Sequence, residues 1–83
     1  MVGVRGDVRA EVGARIRELR TALGISQEEL AARAGLHRNY VGSIERGERE
    51  AGLNSMARLA GALGLSLADF FAPFRQMIRA RRG

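Results

Sequence analysis

The stretch SQEELAARAGLHRNYVGSIERG, residues 26–47, places two short helices back to back and parts them with one glycine. Ser26 and Glu29 have the S-x-x-E spacing that opens a helix, which predicts a run from about Gln27 to Ala34. Leu30, Ala31 and Ala34 are its inward face. Gly35 is suited to the left-handed conformation that ends a helix. Leu36 then plugs the corner, and a third helix begins near Arg38 and stops at Gly47. Val41 and Ile44 face the core, which turns Arg38, Asn39, Gly42, Ser43 and Arg46 outward. Packing alone gives no reason to set arginine, asparagine and tyrosine at the front of a helix that starts so abruptly.

The flanks follow the same grammar. Asp7 is a good cap, and Val8, Val12, Ile16, Leu19 and Leu23 recur at helical spacing until Gly24. After the polar loop GEREAG, Leu53, Met56, Leu59, Ala60 and Leu63 form another apolar stripe, closed by Gly64. Ser66 and Asp69 start a short fifth helix through LADFFA, which Pro73 interrupts. Alternating strand patterns are absent from the sequence. The fold class is therefore all-α, a compact five-helix domain, with a short extra C-terminal helix as an option. Residues 1–6 read as a flexible arm, 7–72 as the domain, and 73–83 as a basic tail or a short dimerisation helix.

Composition narrows the function. With 83 residues and no cysteine, the chain has room for one small domain and no disulfides or thiolate metal site. Its single histidine, His37, does not make a metal site, and no cofactor or small-molecule ligand is implied. No nucleophile–base pair is in sight, so an enzyme is not expected. The net charge of +5 points to an anionic partner. All fourteen basic residues are arginine, which suits phosphate and guanine but is explained as well by a GC-rich genome. No apolar run approaches the ~20 residues of a membrane span. The charged N-terminus lacks a signal peptide's apolar stretch, so a cytoplasmic, membrane-free protein is expected.

Two short helices joined at a tight turn can offer the front of the second to a DNA major groove about 12 Å wide. The stretch S-Q-E-E-L-A-A-R-A-G-L-H-R-N-Y-V-G-S-I-E-R-G-E-R, with L-A-x-A-L-G-L-S further on, resembles the lambda-repressor-like, or XRE-type, helix-turn-helix family. The likeness spans roughly residues 10–71. Within the family it is most similar to the controller proteins of restriction-modification systems.

That resemblance implies roles for particular residues. Arg38, Asn39 and Ser43 fall where family members read base edges, and Arg to guanine or Asn to adenine is sound chemistry. Tyr40 is either a DNA contact, as a fourth base reader on a thymine methyl or on a phosphate instead, or a half-buried core residue. Gln27, His37, Arg46, Arg20 and Arg49 are the candidates for phosphate contact, Gln27 from the start of the second helix. Arg20 and Glu45 also match a family ion pair that would lock the first helix to the third.

The helix-turn-helix stretch itself is not basic, for residues 21–50 hold four arginines and five acidic groups. The excess lies in Arg5, Arg9, Arg15 and Arg17 and in Arg75, Arg79, Arg81 and Arg82. Leu65, Leu67, Phe70, Phe71, Phe74 and Met77 are the expected two-fold interface, because they exceed what one short helix can bury. The leading expectation is a homodimeric regulator on a palindromic double-stranded DNA operator, controller-like and autoregulating. It would repress by occlusion or activate by touching RNA polymerase. The alternative is an antitoxin-like module whose main partner is another protein.

Overall fold

A computed structural model of the chain describes residues 7–74. The helices are α1 (Asp7–Ala22), α2 (Gln27–Ala34), α3 (Arg38–Glu45), α4 (Leu53–Ala62) and α5 (Leu67–Phe71). A 3₁₀ turn, Ala72–Phe74, follows at Pro73. There is no strand among the described residues. The fold is all-α, as the sequence predicts, although α1 begins at Asp7 itself.

The caps form where the spacing puts them. Ser26 and Ser66 accept from the backbone N–H groups of Glu29 and Asp69, each at 3.0 Å. Each thereby satisfies one of the donors a helix start leaves free. The reciprocal half of the first box is replaced by another contact: Glu29 reaches forward to Arg33 at 2.8 Å. Gly35 takes φ 70°, and its N–H donates to Ala31 and Ala32, closing α2 without the cost a Cβ would bring.

The core joins one stripe from each helix: Ile16, Leu30, Ala31, Ala34, Val41, Ile44, Met56, Leu59, Ala60, Leu63 and Phe70. Two predicted core leucines are exposed instead, Leu23 at 52 % and Leu53 at 76 %. Leu23 lies beyond the last residue of α1, where the chain already turns towards Gly24. Leu53 is the first residue of α4, one turn before the helix meets the core at Met56.

Phe70 requires a larger correction. Its ring is fully buried in the protomer core, so it is not available to a dimer surface. Arg15 holds it there: Nε donates to the Phe70 carbonyl at 3.0 Å and Nη2 to that of Asp69 at 3.2 Å. The same guanidinium lies 5.6 Å from the Phe70 ring centroid. Arg15, counted above with the surplus charge, is thus a strut between α1 and the end of α5.

Candidate nucleic-acid interface

Helix α3 stands on α1 and α2, and its orientation depends on one carboxylate. Glu45, at the end of α3, takes Arg20 Nε on Oε2 at 2.7 Å and Arg20 Nη2 on Oε1 at 3.1 Å. Arg20 Nη1 donates to the Ile25 carbonyl at 2.9 Å. The side chains are 13 % and 3 % exposed, so this is a fork-to-fork pair shielded from water. The hydrogen bond to Glu45 pushes the Arg20 pKa above its usual value, against the opposing effect of desolvation. The guanidinium therefore stays charged throughout the physiological range. Each of its three nitrogens makes a bond within the protomer, which places Arg20 in the frame, while Nη1 and Nη2 each keep one further N–H.

The front of α3 is set by His37. Its Nδ1 accepts from the Asn39 backbone N–H at 3.2 Å, making His37 the N-cap of the helix. The capping role is one the sequence reading did not assign to His37. Arg38 and Asn39 follow, both exposed. Ser43 is half-buried, and its hydroxyl donates to the Tyr40 carbonyl at 2.8 Å. What Ser43 has left to offer is acceptor lone pairs, which suit an exocyclic amino group of cytosine or adenine.

Gly42 is buried, contrary to its predicted outward position. A Cβ there would lie 3.4 Å from Gln27 Oε1 and 3.2 Å from Arg46 Nη1, so the glycine leaves a notch that these side chains cross. Tyr40 is half-buried against the core, and its hydroxyl donates to Ser55 Oγ at 3.2 Å. The Arg49 guanidinium stands 5.3 Å from the Tyr40 ring centroid. Both of these arrangements favour the structural role for Tyr40. Arg46 is exposed, with Nε 3.0 Å from Glu48. That hydrogen bond raises the Arg46 pKa, and an exposed pair of this kind exchanges readily for another anion.

His37, Arg38, Asn39, Ser43, Arg46 and Arg49 thus lie on or beside α3, with Gln27 reaching it from α2. The described members of the proposed dimer set lie just before α5, on it and in the 3₁₀ turn that follows. Leu65, Leu67, Phe71 and Phe74 are half-buried, and Phe71 packs against Phe70 and Phe74 at ring distances of 4.9 and 5.4 Å. Met77 and the arginines of the tail lie outside the described residues. An open groove of about 210 Å³ runs between α1 and the 3₁₀ turn, lined by Glu11, Ala14, Arg15, Glu18, Pro73 and Phe74. No helix among the described residues is long and apolar enough to cross a membrane.

A family model described as helix-turn-helix matches residues 16–70. The chain belongs to the XRE-type helix-turn-helix family. The match runs from Ile16 in α1 to Phe70 in α5, the span that builds the core and carries α3. Among family members, the control protein C.SmaI of Serratia marcescens is 36 % identical over 77 residues, 93 % of this chain and 89 % of that protein. The crystal structure of the restriction-modification controller protein C.AhdI from Aeromonas hydrophila superposes with a TM-score of 0.74. It is 47 % identical and covers 77 % of this chain and 97 % of its own. A further likeness is to the controller protein C.Esp1396I, solved as a tetramer with its natural 35 base-pair operator. That structure gives a TM-score of 0.76 at 29 % identity over 83 % of this chain and 91 % of that one. These relatives are transcription regulators, not enzymes, and the chain is a regulator of their controller type.

Proposed function

We propose that the protein acts as a homodimer on a roughly palindromic operator in double-stranded DNA, reading base edges with Arg38, Asn39 and Ser43. The observation that carries this reading is the front of α3: two exposed side chains of the right chemistry and one acceptor, on a helix tied down by a shielded ion pair. Gln27, His37, Arg46, Arg49 and Arg20, the last through its remaining Nη N–H groups, are assigned to the phosphates, which fix register without reading sequence. The operator complex of C.Esp1396I supports the choice of partner. Autoregulation as a controller fits a domain this small, because occupancy then follows protein concentration. Contact with RNA polymerase is the route by which a bound dimer would activate. Selection from randomised duplexes, followed by mobility shifts at fixed salt, tests the reading. A preferred two-fold sequence is expected, and binding no tighter than to bulk DNA would end it.

The dimer is assigned to Leu65, Leu67, Phe71, Phe74 and Met77, with Phe70 omitted because the protomer buries it. Two recognition helices would then lie about one DNA turn apart, ~34 Å. Sedimentation should give twice the 9.0 kDa protomer mass. Leu67→Glu, at a half-buried site, should shift the mass towards the protomer. A protomer mass for the unchanged protein at every concentration would rule the interface out.

A further inference from the structure

Glu45 does more than neutralise Arg20. Its Oε1 also accepts from Gln27 Nε2 at 3.0 Å, so one carboxylate ties together α1, α2 and α3. An ionised carboxylate only accepts, and an amide has one donating and one accepting end. Turning the Gln27 amide over would set Oε1 against Glu45 and leave a shielded lone pair facing a negative charge. The amide is therefore held in one orientation. Its accepting end lies over the notch at Gly42, which Arg46 Nη1 also approaches.

We propose that Glu45 is a positioning residue for DNA binding, which acts by clamping the Gln27 amide so that its remaining Nε2–H donates to a backbone phosphate. Arg20 fixes the carboxylate, Glu45 fixes the amide, and Gly42 leaves the room in which the amide lies. The inference rests on the reading that α2 begins against the DNA backbone. It adds that this contact depends on a residue at the far end of α3. In Glu45→Gln an oxygen kept on Arg20 Nε, the shorter of the two Arg20 bonds, puts the new amide nitrogen at the Oε1 position, where it faces Gln27. Gln27 must then turn, and its donor is lost to the phosphate.

The test has a free-protein arm and a DNA arm. Only two glutamines and two asparagines occur in the sequence, so the side-chain amide resonances are few. In the unchanged protein, one Gln27 Nε2 proton should be shifted and slow to exchange, and Glu45→Gln should abolish both properties. On the duplex selected above, Glu45→Gln should weaken binding by about three- to tenfold, the worth of one oriented hydrogen bond. It should add nothing in a Gln27→Ala background. Should Glu45→Gln fail to fold, Gly42→Ala crowds the amide from its other side and spares the ion pair. It should lose affinity without a lower melting temperature, and because its Cβ also meets Arg46, that loss should vanish in a Gln27→Ala background. Gln27 amide protons that exchange like those of a free glutamine side chain would overturn the proposal, as would equal losses in both backgrounds. An unchanged protein with no duplex preference would instead remove the DNA reading itself, before any variant is made.

Discussion

Gly13→Ala is expected to destabilise the domain by about 3 kcal/mol, although alanine is the better helix former by about 1 kcal/mol. A Cβ at Gly13 would collide with the carbonyl oxygen of Ile44 and sit 2.5 Å from that of Glu45 and 2.8 Å from its carbon. All three are backbone atoms, so no rotamer change relieves the clash. Either α1 or the last turn of α3 has to move, and Glu45 is on that turn. The steric cost outweighs the propensity gain, and the melting temperature should fall by roughly 10–20 °C for a domain of this size. Gly61, in the last turn of α4, is the control, since a Cβ there meets nothing within 4 Å. Gly61→Ala should raise stability by about 0.5–1 kcal/mol. Thermal and urea unfolding followed by circular dichroism measure both. A Gly13→Ala variant that melts with the unchanged protein would contradict the close crossing of α1 and α3.

The second large effect is Glu45→Ala. Arg20 would be left shielded with its carboxylate gone, and breaking such a pair costs about 3–5 kcal/mol. Small domains are stable by only about 5–15 kcal/mol, so the loss is a large fraction of the total. Removing both charges is a different experiment. Arg20→Met with Glu45→Leu leaves no unpaired group and should recover much of the loss, as apolar replacements of shielded ion pairs often do. It should not recover DNA affinity, because Gln27 would still lack its clamp. Urea unfolding of the single and double variants measures this, and a Glu45→Ala variant within 1 kcal/mol of the parent would contradict it. The pairing contributes at all physiological pH, since a raised arginine pKa is lost to stability only as pH rises through the arginine range.

The helices were legible because serine caps and glycine stops are local signals, and each stands within a turn of the boundary it sets. Core positions in the middle of helices, such as Leu30, Val41 and Leu59, were legible from periodicity. The same periodicity misplaced Leu23 and Leu53, because a stripe continued past a helix end or into its first turn no longer faces anything. Phe70 was misread for another reason: a surplus of apolar groups does not say which of them the protomer keeps. Gly13, Arg15 and the bond from Gln27 to Glu45 could not be read at all. Each depends on a contact between distant parts of the chain, and glycine within a helix looks like a weakness until the opposing backbone is seen. The Arg20–Glu45 pair was found through family resemblance, and spacing alone would not have supplied it. Arg38 and Asn39 could be read because an exposed polar side chain at a helix front has no packing role to explain it.

The central claim is that the front of α3 reads bases while the residues around it hold the backbone. The most direct measurement is the affinity of the unchanged protein and of Arg38→Ala for a panel of operators, each altered at one base pair. The account predicts that Arg38→Ala loses discrimination at one base pair in each half-site, by roughly 1–3 kcal/mol, and keeps it elsewhere. An equal loss of affinity on every operator in the panel would show Arg38 to be a phosphate contact and contradict the account.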